Sequence, residues 1–152
     1  MNLEVRFADY AIHHADPWNK ACHYVGLPLI ALCLFGLGSK LRLAEVAGGT
    51  VLDLGLLLAL ALVGIYLRWR PGLAIGVGIV FAPLYLLGSR LPFPALVTLL
   101  AVGVTLQYLG HYVFEKRSPA FHHNLVHTLV GPLWIAQSFF RLLGLAPGKQ
   151  RR

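Results

Sequence analysis

The sequence predicts an all-α fold, a polytopic membrane helix bundle of four to five spans with an N-terminal interfacial segment. Hydrophobic residues make up 57% of the chain and charged residues only 12%, against about 25% charged in an ordinary soluble domain. The charges also separate long uncharged runs, as expected for spans joined by turns. Since 152 residues suffice for about one domain, we expect residues 1–152 to form a single integral membrane domain.

The first two predicted elements are the interfacial segment and a span. The first twenty residues never form an uninterrupted apolar run, because they include five charged side chains: Glu4, Arg6, Asp9, Asp16 and Lys20. Residues Ala21 to Ser39 are uncharged and approach the length of about 20 residues that a helix needs to cross a bilayer. This run is therefore predicted to be the first span.

Three further spans and one ambiguous segment follow. The second span is predicted from Val46 to Leu67, where Asp53 near the helix N-terminus is favourably placed against the helix dipole. The third lies between Arg70 and Arg90, and the fourth runs from Leu91 to Phe114. The last apolar segment, Leu125 to Leu145, is predicted to be either a fifth span or a helix lying at the interface.

The net charge of +7 is best explained by a membrane rim, because the basic residues lie at the ends of apolar runs. We therefore expect membrane lipids as partners and no nucleic acid. The side that holds the N-terminal segment carries more Lys and Arg near the spans than the opposite side, which predicts that it faces the cytoplasm. If the last segment crosses, the basic tail moves to the opposite side and removes this difference.

Histidine is over-represented, with seven residues against six acidic ones. The predicted topology places every one of them on the N-terminal side of the membrane: His13, His14, His23, His111, His122, His123 and His127. Two clusters that are distant in sequence thus lie at one level of the membrane. Imidazoles grouped in this way, in a chain with few acids, indicate a metal site more than a salt-bridge network.

The candidate metal ligands are His14, His23, His111 and His127. His23 and His111 lie within apolar helix ends, where an imidazole without a partner costs free energy. We expect the other three histidines to have mainly structural roles at the interface. The spacing of four residues between His111 and Glu115 also allows Glu115 to act as a ligand or as a partner of a ligand.

Further polar residues accompany the histidines. Gln107, His111 and Glu115 form a stripe at intervals of four residues, which is typical of a helix face turned towards a bundle interior or a cavity. Hydrogen bonding between helices is an equally good explanation for Gln107. Lys116 and Arg117 either mark the interface or attract the carboxylate of an amphipathic substrate.

Two segments resemble a known family. The first contains His14-Ala15-Asp16-Pro17-Trp18-Asn19, His23 and Gly26-Leu27-Pro28, and the second runs from Gln107 to Ala120 with the pattern Q-x-x-G-H-x-x-F-E-K-R-x-P-A. Together they resemble the 2-hydroxy fatty acid dioxygenase family of small multi-span proteins, whose fungal members act in phytosphingosine degradation. The motifs cover about a quarter of the chain. The predicted arrangement of spans resembles that of the family over most of the chain.

The resemblance implies Fe(2+)-dependent α-oxidation, in which a 2-hydroxy fatty acid and dioxygen give an acid one carbon shorter. It implies His14, His23 and His111 as the family histidines, with Asn19, Gln107 and Glu115 as polar companions in catalysis. The alkyl tail of the lipid substrate would lie between helices. This chain has His122-His123-Asn124 where the family often has an acidic or small residue before the asparagine, so the fourth ligand stays open between His127, His123 and Glu115.

Other classes of protein were weighed against this interpretation. A di-iron hydroxylase or desaturase would carry eight or more histidines in tighter boxes than the seven present here. A haem-binding or other metal-binding bundle without oxygenase activity would need only two axial histidines or a similar small set. A structural scaffold would leave the histidines incidental. The oligomeric state stays open.

Overall fold

The computed structural model describes residues 3–46, 50–119, 126–142 and 144, and within them the predicted helical bundle is confirmed. The described elements, in chain order, are α1 (Leu3–Ile12), α2 (Pro17–Ser39), β1 (Arg42–Val46), β2 (Thr50–Asp53), α3 (Leu54–Trp69), α4 (Pro71–Arg90), α5 (Phe93–Leu109), a π-helical turn (Gly110–Glu115) and α6 (Val126–Leu142). Among these, α2, α4 and the continuous segment Phe93–Glu115 are long and apolar enough to cross a membrane. The number of spans stays a prediction.

The second predicted span begins later than expected. In place of a helix from Val46, an antiparallel hairpin pairs β1 with β2, and α3 begins only at Leu54. Gly48 and Gly49 are poor helix formers, and the β-branched residues around them favour strands. The 16 residues of α3 span about 24 Å, which is shorter than a hydrocarbon core of about 30 Å.

Asp53 lies at the N-terminus of α3, as predicted. Its Oδ1 atom accepts a hydrogen bond from the backbone N–H of Leu56 at 2.8 Å, which caps the helix. The other carboxylate oxygen, Oδ2, accepts from the hydroxyl of Tyr85 on α4 at 2.6 Å. Asp53 therefore joins α3 to α4 at the hairpin end of the bundle.

Helix α2 is the centre of the bundle. Asp16 caps its start, because Oδ1 accepts from the backbone N–H groups of Trp18 and Asn19 at 2.8 and 3.1 Å. Near its other end the backbone of α2 contacts α4 directly: a Cβ atom at Gly36 would lie 2.6 Å from the carbonyl oxygen of Gly88. Such close approach of helix backbones requires residues without side chains.

The interfacial helix α1 packs against α6 at the opposite end from the hairpin. Leu3, Phe7 and Tyr10 are buried in the same hydrophobic cluster as Val130 and Leu133 of α6. Arg70, between α3 and α4, donates to the carboxylate of Glu4 on α1. The N-terminal segment, the α3–α4 turn and the start of α2 therefore lie at one end of the bundle.

Candidate metal centre

Three of the predicted ligands, His14, His23 and His111, come together at the N-terminal end of the bundle, and we call them the histidine trio. One ring nitrogen from each lies within 4.8 Å of the others, and all three side chains are buried. His14 is on the loop of residues 13–16, His23 on α2 and His111 in the π-helical turn. The predicted meeting of two sequence-distant clusters is thus present in the fold.

The hydrogen bonds of His14 and His23 determine which ring nitrogens are available. His14 Nδ1 lies 2.7 Å from the carbonyl oxygen of Tyr10, and His23 Nδ1 lies 2.9 Å from that of Asn19. Since a carbonyl only accepts, both Nδ1 atoms carry hydrogen, and in the neutral rings both Nε2 atoms present lone pairs. These hydrogen bonds orient the two rings as second-shell partners orient metal-bound histidines.

The two Nε2 atoms face each other at 3.1 Å. Two lone pairs at this distance repel unless a cation lies between them, either a proton or a metal ion. Burial, followed by the effect of His23, lowers the pKa of His14 to about 3, which opposes protonation at neutral pH. Two nitrogen ligands at right angles, each about 2.1 Å from one ion, are about 3 Å apart. The donor set therefore fits a metal ion.

The π-helical turn positions His111. Gly110, at its start, packs tightly on α2, because a Cβ atom there would lie 2.5 Å from Asn19 Oδ1. The turn ends at Lys116, whose φ of 55° is in the left-handed region. The extra residue in a π-helical turn changes which side chains face inward, and such turns are frequent at functional sites.

Glu115 binds the loop that carries His14. Its Oε1 atom accepts from the backbone N–H of Ala15 at 3.1 Å, and Oε2 accepts from that of Asp16 at 3.0 Å. Oε2 also accepts from Nδ2 of Asn19 at 2.9 Å. The carboxylate thus fixes the loop against the π-helical turn.

Asn19 and Gln107 connect the elements around the trio. The side chain of Asn19 is fully buried, and its Nδ2 donates to Glu115 and to the carbonyl oxygen of His13 at 3.2 Å. Gln107 Nε2 donates to the carbonyl oxygen of Cys22 at 3.4 Å, so the expected hydrogen bond between helices is present. Gln107 also faces the cavity described below.

His127 lies near the trio but has another partner. Its Nε2 is 3.1 Å from Oδ2 of Asp9, and it is not part of the group of three within the described residues. His13, expected to be structural, has its Nδ1 3.1 Å from the backbone oxygen of Asp9. His122 and His123 lie outside the described residues. A ligand role for His127 or His123 stays a prediction.

Lys116 and Arg117 are exposed. Arg117 Nη1 donates to the carbonyl oxygen of Ile12 at 3.4 Å, which connects the segment after the π-helical turn to the end of α1. Neither residue is among the described residues that line the cavity beside the trio. Their predicted contact with a substrate carboxylate is therefore not part of this arrangement and stays a prediction.

Tyr10 is a site residue that the sequence interpretation missed. Its ring stacks on that of His14 with centroids 3.9 Å apart and planes within 8°, and its carbonyl oxygen accepts from the same imidazole. The pattern of Leu3, Phe7 and Tyr10 on one face of α1 would have identified Tyr10 as buried. Its spacing of four residues from His14 would then have indicated the contact.

A cavity of about 330 Å³ opens beside the trio, and we call it the histidine cavity. Its lining includes polar side chains, namely the trio, His127 and Gln107, and apolar ones such as Leu27, Ile30 and Val104. An apolar cavity with a few convergent polar groups is the usual form of a small-molecule site. This one suits an amphipathic ligand with its polar end at the imidazoles.

Comparison with known proteins identifies the family. A family model described as 2-hydroxy-palmitic acid dioxygenase Mpo1-like matches residues 1–142. The chain is 31% identical over 150 residues to the 2-hydroxy-palmitic acid dioxygenase MPO1 of Saccharomyces cerevisiae, and the match covers 97% of this chain and 84% of the relative. No solved structure matches. The resemblance seen in the motifs is confirmed, and the chain belongs to the Mpo1-like family.

Proposed function

We propose that this protein is an Fe(2+)-dependent dioxygenase that shortens 2-hydroxy fatty acids by one carbon at the cytoplasmic face of a membrane. The proposal depends chiefly on the buried His14–His23 pair, whose Nε2 lone pairs face each other at 3.1 Å beside His111. Membership of a family described as 2-hydroxy-palmitic acid dioxygenase supports the reaction. The excess of Lys and Arg on the side that holds the N-terminal segment and the trio supports the cytoplasmic orientation.

The reaction balances with dioxygen as the only oxidant. R-CH(OH)-COOH and O2 give R-COOH, CO2 and H2O: the C1–C2 bond breaks, C2 is oxidised to a carboxyl carbon, and C1 leaves as CO2. Iron would supply the redox chemistry for dioxygen and a Lewis acid for the hydroxy-acid head group.

The protein's own part is to hold and orient the reacting groups. The trio would bind the metal, with Tyr10 and Asn19 setting the rings of His14 and His23. Glu115 acts as a positioning residue for the His14 loop. His127 is proposed as a fourth ligand through Nδ1, which can bind a metal while Nε2 keeps its contact with Asp9. Lys116 and Arg117 are proposed to attract the substrate carboxylate at the membrane surface.

The first test is oxygen uptake by purified, iron-loaded protein on addition of 2-hydroxyhexadecanoic acid. We expect stoichiometric formation of the acid one carbon shorter, and no uptake with unhydroxylated hexadecanoic acid. Iron-replete protein that consumes no oxygen with 2-hydroxy acids of any chain length would overturn the activity.

The second test concerns the ligands. Alanine at His14, His23 or His111 should each remove most of the bound metal, measured by elemental analysis after purification, because each removes one of three buried donors. His13→Ala is the matched control, since His13 contacts the backbone of Asp9 and is not in the trio. Full metal occupancy in any of the three variants would exclude that residue from the site.

The geometry argues against His14 and His23 as the two axial ligands of a haem. Two axial nitrogens on opposite faces of one iron, each at about 2.0–2.1 Å, must be about 4 Å apart. The Nε2 atoms of His14 and His23 are only 3.1 Å apart, which is too close for that arrangement. A Soret absorption band in the purified protein would nevertheless favour the haem alternative directly.

A further inference from the structure

A second cavity of about 300 Å³ lies between α2, α4 and α6, and we call it the lateral groove. Aliphatic and aromatic side chains line it, among them Leu27, Ala31, Val77, Phe81, Ala136 and Phe140. None of the described residues that line it is charged. A polar head group would find no counter-charge here, so the surroundings favour an apolar occupant.

Leu27 is part of the wall of both cavities. It lies four residues after His23 on the same face of α2, about 6 Å further along the helix axis. Its Cδ1 atom lies 3.1 Å from where a Cβ atom of Gly131 on α6 would be. The histidine cavity and the lateral groove are therefore neighbours that share Leu27 as a lining residue.

The groove opens to the surface of the bundle between α4 and α6. Val80 on α4 and Phe139 on α6 border it and are 50% and 59% exposed. Phe140 also lines the groove and packs directly on α4, because its ring tip lies only 2.3 Å from where a Cβ atom of Gly76 would be. An apolar chain in the groove would thus contact Leu27, next to the histidine cavity, and the ring of Phe140.

We propose that the lateral groove holds the alkyl chain of the substrate and that Leu27, Ala136 and Phe140 determine which chain lengths are accepted. The inference rests on the proposed function, since it takes the polar head of the same molecule to lie at the trio. One molecule then fills both cavities, with its head beside His23 and its tail in the lateral groove, in contact with Ala31.

The first experiment measures chain-length preference. Ala136→Phe fills the groove and should lower kcat/KM for long-chain 2-hydroxy acids at least about tenfold while short-chain acids keep theirs, because apolar sites discriminate about 10–200-fold by steric fit. Phe140→Ala should extend the preference to longer chains. Ala82→Phe is the control, because Ala82 is exposed on α4 and outside the groove.

If Ala136→Phe retains the wild-type profile, or if Ala82→Phe changes it equally, the groove does not hold the chain. Thermal unfolding and metal content of each variant show whether the bundle is intact. If wild-type protein oxidises no 2-hydroxy acid at all, the proposed function fails, and the binding experiment that follows still decides the groove.

The second experiment detects binding without metal or turnover. Trp134 stacks on Tyr24 at the border of the groove, with centroids 6.3 Å apart. In a Trp18→Phe/Trp69→Phe variant it is the remaining tryptophan. A 2-hydroxy fatty acid brominated in mid-chain should quench its fluorescence saturably, and unlabelled acid should reverse this. Quenching that does not saturate, or that Ala136→Phe leaves unchanged, would overturn the inference.

Discussion

Glu115 shows how a single side chain supports the candidate site through hydrogen bonds to groups other than the ring nitrogens of the trio. Its carboxylate accepts two backbone N–H groups of the His14 loop and the amide of Asn19. From the sequence, the spacing of four residues to His111 placed Glu115 near the histidines but left its role open. Its partners lie about 100 residues away in the chain, so local spacing could not identify them.

We expect Glu115→Gln to loosen the His14 loop. The amide replaces one accepting oxygen with an NH2 group, which would face a backbone N–H donor, and this costs about 1–3 kcal/mol of unfolding free energy. Metal affinity should fall about 10–100-fold, as for other residues that orient ligands. Thermal unfolding and metal titration measure both effects.

Glu45→Gln is the control for this prediction, because Glu45 is exposed on β1 at the opposite end of the bundle. It should leave stability and metal affinity unchanged. Wild-type metal affinity in Glu115→Gln would show that the loop is held in place without this carboxylate.

The π-helical turn is the element on which the site depends most. It follows α5 without interruption and places His111 towards α2, with Gly110 in contact with Asn19. Apolar composition predicted one continuous span from Leu91 to Phe114. The segment Phe93–Glu115 is indeed long and apolar enough to cross a membrane. Nothing in the composition distinguishes i→i+4 from i→i+5 hydrogen bonding, so the π-helical turn was not predicted.

We expect Gly110→Ala to displace the π-helical turn from α2. The new Cβ atom would lie 2.5 Å from Asn19 Oδ1 and 3.2 Å from Cys22 Cβ, and such overpacking costs about 1–3 kcal/mol. The variant should unfold at lower temperature and bind metal more weakly, since His111 is the next residue.

Gly64→Ala is the matched control, because a Cβ atom at Gly64 on α3 would meet nothing within 4 Å. The better helix propensity of alanine should leave stability unchanged or raise it by about 1 kcal/mol. Equal unfolding temperatures for the two variants would contradict close packing at Gly110.

The bundle as a whole has two distinct ends. The trio, α1 and the α3–α4 turn lie at one end, and the β1–β2 hairpin lies at the other, after the C-terminus of α2. Three described segments are long and apolar enough to cross a membrane, and large hydrophobic side chains such as Val80 on α4 are exposed on their surface. These features indicate a membrane protein. Which end of the bundle faces the cytoplasm is a separate prediction.

We expect the histidine end to face the cytoplasm, because Lys and Arg are retained preferentially on that side. Single cysteines at Ala8 on α1 and Leu43 on β1, both exposed, can test this in a Cys22→Ser/Cys33→Ala background. In intact cells a membrane-impermeant thiol reagent should label Leu43→Cys, whereas Ala8→Cys should react only after permeabilisation. The reverse pattern would contradict the predicted orientation.

Much of the site could be predicted from residue type and position along the chain. His14, His23 and His111 were identified because apolar spans bring their ends to one level, and Gln107 and Asp53 because of where they lie on helices. The hairpin was missed because a short strand pair between two apolar helices is too brief to change the hydropathy pattern. Tyr10 and Asp9 were missed because their partners lie on other elements or in the loop.

The sequence by itself determined the class of fold, the family and the end of the bundle where the histidines gather, because hydropathy and chain direction constrain each helix separately. Only the tertiary structure decided which histidine nitrogens lie close together, which groups donate hydrogen bonds to Glu115 and where the cavities lie. Those features depend on distances of about 3 Å between elements far apart in sequence. Close helix packing through Gly110 and Gly36 sets those distances, and no local pattern in the chain encodes them.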